Sequence, residues 1–296
     1  MNIEFIAEVS SNHSRDLKRC LEFIRTAKKI SCDGVKFQLF KIDELFAPEI
    51  LAKSEEHRQR KQWELPEEYI PVLADECHQL GLKFACTPFY LKAVDILEPY
   101  VDYFKIASYE ILWPDLLKKC AGAHKPIKLA TGMATIEEVS RAVEILKNAG
   151  AGEMTLYHCV SSYPAPAEQC NLAVLETYRK MFNCQAGWSD HSVNENVLSR
   201  AAFNWQASSI EFHLDLDGKG EEFARGYNWL PEQIQKVILN IKNGINLSSD
   251  FVIADGDGVK RCKESEAVDR ELRADPSDGL RPLLKTREIW QKNHAS

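Results

Sequence analysis

Eight short runs rich in β-branched and aromatic residues recur along the first 214 positions, and a longer stretch of helical periodicity follows each of them. The runs fall at 3–9, 34–40, 82–88, 102–108, 126–132, 154–160, 184–190 and 208–214. Between the first two, DLKRCLEFIRTAKKI spaces Leu17, Leu21, Ile24 and Ala27 three or four apart, which is one face of a helix. PEEYIPVLADECHQLG opens on Pro66 and closes on Gly81, as helices often do. TIEEVSRAVEILKNAG opens with a capping box, Thr135 to Glu138, and closes on Gly150. Strands alternating with helices pair in parallel, because each crossover carries the chain back before the next strand starts. Eight such units are the number that closes an α/β fold of the (β/α)8, or TIM barrel, class. An open doubly wound sheet is the alternative, but it rarely uses eight such regular units. The rhythm assigns 1–245 to the barrel. Residues 41–65 form a long charged insert after the second strand. Residues 246–296 leave the rhythm and read as a short helical or irregular tail packing on the barrel.

Charge and cysteine content narrow the function classes. The formal charge is −7 and no long basic run appears, which argues against nucleic acid as a partner while leaving room for a local cationic pocket. The chain begins directly with a strand-like run instead of a signal peptide, and no apolar stretch is long enough to span a bilayer. Nine cysteines are scattered without a CxxC pair. This pattern predicts a cytoplasmic protein with reduced thiols, several of them in the core, and neither a structural zinc site nor a disulfide framework.

A barrel places its site at the C-terminal ends of its strands. Those ends carry Glu8; Lys36 and Gln38; Thr87; Lys105, Ser108 and Glu110; Thr131 and Gly132; His158, Ser161 and Tyr163; Ser189, Asp190 and His191; and Glu211 and His213. All eight ends are polar while the strand bodies are mostly apolar. Lys36 and Lys105 would be costly as unpaired ammonium groups near buried strands. Either carboxylates such as Glu8 and Glu110 neutralise them, giving an internal salt-bridge network, or an anionic ligand does. With Thr87, Ser108 and Ser189 they could form a phosphate or carboxylate cradle. His191 and His213 lie on adjacent strand tips, where their imidazoles could share a divalent metal with open positions, and His158 is a candidate third member. His13 and Tyr163 read either as substrate contacts or as plain loop residues.

Taken together, IAEVSSNH, DGVKFQLF, YFKIASYEI, LATGMATIEEV, LYHCVSSYPAP, GWSDHS and IEFHLDLD resemble the sialic acid synthase (N-acetylneuraminate synthase) family. The likeness runs in register from residue 3 to about 217. It implies a TIM barrel that condenses phosphoenolpyruvate with an open-chain N-acetylated amino sugar, giving a nonulosonic 2-keto-3-deoxy acid and phosphate. By matching position it gives Lys36, Thr87, Lys105, Ser108, Ser161 and Ser189 to phosphoenolpyruvate. His191 and His213 fall to a divalent metal, Mn²⁺ first, with Mg²⁺ or Co²⁺ as alternatives. Gln38, Tyr163 and Asp190 would meet the sugar, and Glu8 and Glu110 would lie near the reacting atoms. Alternatives kept open are a synthase for a phosphorylated aldose, of the 3-deoxy-octulosonate phosphate type, and a non-catalytic barrel that only binds anionic sugars.

The sequence also departs from the family pattern. Phe212 stands where relatives carry lysine, and DGKGEEFARGYNWLPEQ replaces a Pro-Gly-Pro-Asp loop, so Glu221 or Glu222 would have to contact the sugar. The antifreeze-like domain that caps the partner subunit's site in relatives, and supplies an arginine there, would begin where this sequence reaches Ser296. The site is therefore expected to be open, or covered by its own tail, a homodimer partner or a separate capping protein. The insert 41–65 and a mobile flap at 218–229 are the candidate lids. In the flap, Glu222 would hydrogen-bond sugar hydroxyls and Arg225 would replace the arginine.

Overall fold

A computed structural model of the chain describes residues 3–248 and 250–293; Ser249 and the end of the expected tail, 294–296, lie outside the described residues. Eight parallel strands close on themselves in sequence order. They are β1 Glu4–Glu8, β2 Gly34–Leu39, β3 Lys83–Pro88, β4 Tyr103–Ile106, β5 Ile127–Ala130, β6 Met154–His158, β7 Gln185–Asp190 and β8 Ser209–His213. Closure is made by β1 against β8, with Glu8 opposite His213. Each strand falls within its expected run. The barrel is thus the one the strand–helix rhythm predicts, and the open sheet is excluded.

Alternation along the strands sorts two cores. Phe5, Val35, Phe37, Phe84, Phe104, Leu156, Trp188, Ile210 and Phe212 face outward into the layer beneath the helices. Ile6, Ala85, Tyr103, Ala130, Tyr157 and Cys159 fill the inside of the barrel. Gly187 makes room there: a Cβ on it would stand 3.0 Å from the Tyr157 ring and 2.8 Å from Ser209 Oγ. The helix Leu17–Lys29 is capped by Asp16, and Ile136–Asn148 carries the expected Thr135–Glu138 box. The helix expected from Pro66 starts only at Ile70, after a 3-10 turn at Glu67–Tyr69. Pro71 has no N–H to donate and can sit only in a first turn.

The charged insert folds into helices Ile42–Leu45, Pro48–Lys53 and Glu55–Gln59, anchored by a small cluster of Phe40, Ile42, Leu45, Phe46 and Phe89. The tail then crosses the same end of the barrel. Asp255 receives Arg200 Nε at 2.5 Å and Trp205 Nε1 at 2.6 Å. Further on, Ala274 N–H donates to Tyr109 O at 2.9 Å, and Arg281 N–H donates to Leu45 O at 2.8 Å. Tail and insert are therefore stitched together above the strand ends. Among the described residues no helix is long and apolar enough to cross a membrane.

Candidate active site

The strand ends open into a cavity of about 1270 Å³, walled by the β1 and β8 loops, the insert and the tail. Its lining includes Glu8, Lys36, Gln38, Lys105, Ser108, Tyr163, Ser189, His191, Glu211, His213, Glu222 and Arg225. The expected site residues thus converge, with four exceptions. Thr87 lies behind Lys36, whose Nζ donates to its Oγ1 at 3.4 Å. Ser161 lies beside Gly132, just behind the lining.

The other two exceptions correct the expectation. Asp190 does not reach the sugar side of the cavity. Its oxygens accept from Trp188 Nε1 and Trp229 Nε1, both at 3.1 Å, and from Ser192 Oγ at 2.6 Å. Strand alternation explains this: Ser189 and His191 face the cavity, so the residue between them faces away. Glu110 is also buried behind the lining, where its Oε1 accepts from Arg281 Nε at 2.9 Å. It holds an arginine of the tail, and that arginine lines the cavity.

The floor is an ion network. Lys36 is paired with Glu8 and lies 3.5 Å from Glu211 Oε1. Lys105 Nζ donates to the same Glu211 oxygen at 2.7 Å, and Ser189 Oγ does so at 3.3 Å. Gln38 Nε2 donates to the other oxygen of Glu8 at 2.8 Å. Of the carboxylates considered from sequence, Glu8 does pair with lysine, but Glu211 takes the place expected of Glu110. A signal was present, since Glu211 precedes His213 by two and shares its face of β8. The two lysines differ. Burial opposes the charge of both, yet the carboxylates of Glu211 and Glu8 hold Lys36 above the ordinary lysine range. Lys105 is left below that range, because burial outweighs the pull of Glu211 and Lys36 repels it. Lys105 is therefore the cation with most to gain from an incoming anion.

His191 and His213 stand side by side, with ring centroids 5.4 Å apart. His191 Nδ1 meets Val160 O at 2.7 Å, and His213 Nδ1 meets Glu222 Oε2 at 3.2 Å. Each contact fixes the ring with its Nδ1–H donating, which leaves both Nε2 atoms as lone-pair donors. Burial, with help from His213, pulls the His191 pKa down to about 3, so the ring is neutral at ordinary pH. Among the described residues no group of three or more His, Cys, Asp or Glu side chains converges on one point. The pair offers two imidazole nitrogens and leaves the remaining positions of any ion to water or substrate. His158 is not a third member: its Nε2 meets Cys170 O at 2.8 Å, and the ring packs against Tyr178 and Trp188. His13 likewise takes the loop role, with Nδ1 accepting Arg15 N–H at 2.9 Å.

Tyr163 packs on His191 with ring centroids 4.3 Å apart, and Tyr227, which had no signal in the sequence, packs on His213 at 5.2 Å. Glu222 turns inward from the expected flap. Its carboxylate accepts from Ser10 Oγ at 2.5 Å, Ser11 Oγ at 2.8 Å and Asn12 Nδ2 at 3.4 Å as well as from His213. The loop 218–229 is therefore tied to the β1 loop through Glu222, with exposed Arg225 at its rim.

Comparison with known proteins gives a consistent picture. The model of the NeuB family matches residues 23–251. An uncharacterised protein of Methanocaldococcus jannaschii is 37% identical over 80% of this chain and 69% of its own length. The N,N'-diacetyllegionaminic acid synthase of Legionella pneumophila is 29% identical, over 99% of this chain and 84% of its own. Among solved structures, the spore coat polysaccharide biosynthesis protein SpsE of Bacillus subtilis superposes with a TM-score of 0.77 at 28% identity, covering 91% of this chain and 77% of that one.

Proposed function

This chain belongs to the NeuB family of phosphoenolpyruvate-dependent condensing enzymes, and we propose that it joins phosphoenolpyruvate to an open-chain, N-acetylated amino sugar to give a nonulosonic acid and phosphate. The observation that carries this reading is the placement of Lys36, Lys105, Ser108 and Ser189 on the same cavity floor as the His191–His213 pair. One side suits an anion and the other a metal-held carbonyl, and both face one space.

His191 and His213 would hold a divalent ion, Mn²⁺ in the first instance, and their two free Nε2 atoms and open remaining positions fit an exchangeable ion. When bound, the ion supplies Lewis acidity toward the acceptor's aldehyde oxygen. The protein supplies the rest. Lys36 and Lys105 hold the carboxylate and phosphate of phosphoenolpyruvate, assisted by the Ser108 and Ser189 hydroxyls. Glu8, pinned by Lys36 and Gln38, lies beside the reacting atoms. The new bond joins C3 of phosphoenolpyruvate to the aldehyde carbon. Water adds at C2, and the C2–phosphate oxygen bond breaks to release phosphate. Holding both reactants on one rigid floor converts a two-body encounter into a positioned one. Gln38, Tyr163 and Arg225 face the acceptor, and the arginine from the tail that shares that wall is Arg281.

The test is phosphate release from phosphoenolpyruvate against a panel of N-acetylated amino sugars and phosphorylated aldoses, with Mn²⁺ present. Release with an N-acetylated amino sugar supports the proposal. Release only with a phosphorylated aldose would move it to the 3-deoxy-octulosonate type, and release with none would overturn it.

A further inference from the structure

One residue of the tail reaches past the cavity wall to the turns after β5 and β6, which lie behind the Ser108 hydroxyl of the cavity floor. Glu266 is wholly buried, and its Oε1 accepts the backbone N–H of Met133 at 2.7 Å and that of Ser161 at 2.6 Å. Its Oε2 accepts Lys263 N–H at 2.8 Å. Met133 follows β5 and Ser161 follows β6, so a single carboxylate ties two neighbouring turns. Met133 has a φ of 62°, a conformation that a side chain adopts only where its surroundings hold it.

Between these anchors lies Gly132. A Cβ there would stand 2.1 Å from Ser161 Oγ and 2.9 Å from Ser108 Oγ, so the missing side chain is what lets the two hydroxyls converge. The Gly132 N–H donates to Ser108 Oγ at 2.9 Å. Ser161 Oγ is fully buried and has no hydrogen-bond partner among the described residues. A buried hydroxyl left unsatisfied is costly, and a ligand oxygen would remove that cost. Behind the turns, the buried Lys260 ammonium, also without a hydrogen-bond partner among the described residues, has Glu266 as its main opposite charge. Its segment is fixed by Asn171, which meets Gly258 N–H at 2.9 Å and Val259 O at 3.0 Å.

We infer that Glu266 is a positioning residue for the phosphate of phosphoenolpyruvate: from the tail, it sets the turn after β5, whose Gly132 N–H holds the Ser108 hydroxyl at the cavity, and the turn after β6, whose Ser161 lies behind it, without touching the substrate. The inference rests on the function proposed above. Removing the carboxylate releases both N–H groups and lets the Ser161 hydroxyl drift from Ser108, while the acceptor side of the cavity keeps its own supports.

The experiment uses the full chain with Mn²⁺, comparing wild type, Glu266→Ala and Glu266→Gln. Calorimetry reads phosphoenolpyruvate binding, and steady-state kinetics reads KM for both substrates. Glu266→Ala should raise the Kd and KM for phosphoenolpyruvate about tenfold or more, equivalent to about 1.4 kcal/mol, with the acceptor KM unchanged. Glu266→Gln keeps one acceptor oxygen and should fall between wild type and alanine. Equal loss for both substrates, or no change in phosphoenolpyruvate binding by a folded variant, overturns the inference. If Glu266→Ala does not fold, Glu266→Gln is judged by the same criterion. A wild type that binds no phosphoenolpyruvate removes the functional reading and this inference with it, whereas a wild type that binds and variants that bind equally remove only this inference.

Discussion

His213 donates its Nδ1–H to Oε2 of Glu222 across 3.2 Å. A carboxylate behind an imidazole fixes the tautomer, orients the ring and raises its basicity as a ligand. Glu222 is itself held: burial works against its charge, but hydrogen bonds from His213, Ser10 and Ser11 bring its pKa to about 2. It is therefore a carboxylate at ordinary pH. Replacing it by glutamine should raise the Mn²⁺ concentration needed for half-maximal activity about 10- to 100-fold, which is the usual cost of losing such a partner. EDTA should abolish turnover and Mn²⁺ should restore it. An unaltered metal requirement in Glu222→Gln would show that the contact is only structural.

Lys105 and Glu211 give a second prediction. Lys105→Met removes the cation that burial has made hungry for an anion. It should weaken phosphoenolpyruvate about 10- to 100-fold, since charge-assisted contacts are worth about 1.5–3 kcal/mol. It also strips Glu211 of its nearer partner and should lower stability. The double variant Lys105→Met/Glu211→Gln should recover stability without recovering affinity. If affinity returns with stability, the lysine serves only the internal ion network.

Gly132→Ala tests the convergence of hydroxyls directly. The new methyl would occupy the place of Ser161 Oγ, so the serine must turn away. Overpacking of this kind costs about 1–3 kcal/mol of stability. The larger effect should be on the KM for phosphoenolpyruvate, and a KM equal to wild type would argue that neither hydroxyl meets the anion.

The Glu110–Arg281 pair joins β4 to the tail. Breaking a buried pair from one side costs about 3–5 kcal/mol, because the other charge is left stranded. Arg281→Ala should therefore lower the midpoint of urea unfolding strongly, and Arg281→Met combined with Glu110→Gln should restore much of it. Equal midpoints for single and double variants would mean that the backbone bonds of Arg281 to Leu45 and Ala47 carry the attachment alone.

Acid should destabilise the fold through His13. The ring is buried, which pulls its pKa from 6.5 to about 4; the Glu222 carboxylate opposes this shift and Arg15 adds to it. Below pH 6.5 the unfolded chain takes up a proton that the folded chain refuses. The contribution is thus complete above that pH and lost as pH falls toward about 4, to an extent of up to about 3 kcal/mol. His13→Asn keeps an acceptor for Arg15 N–H and removes the titration. Its stability should vary less between about pH 7 and about pH 5 than that of wild type, and an unchanged slope would refute the assignment.

Local pattern carried most of the architecture. Alternating apolar runs located all eight strands, and strand-end chemistry brought Lys36, Lys105, His191 and His213 to one place. The same alternation, applied residue by residue, would have turned Asp190 away from the cavity between Ser189 and His191. Other features had no local signal. Glu266, Arg281 and Tyr227 belong to segments without periodicity, and their partners lie up to 171 positions away, as in the pair Glu110–Arg281. Glu222 read as part of a flap because Gly218, Gly220 and Gly226 surround it. Its anchors, Ser10 and Ser11, sit on the far side of the barrel closure, where sequence distance says nothing about contact.

The path of the tail also sets a schedule for synthesis. Chains leave the ribosome N-terminus first. By the time Lys242 has emerged, every strand and outer helix has been made, but Asp255, Glu266 and Arg281 are still to come. A nascent chain at that stage lacks the residues that secure the turns after β5 and β6 and tether the insert. The residues that complete the cavity are made last, so a chain cut short within the tail, before Arg281, would lack Arg281 or both Arg281 and Glu266.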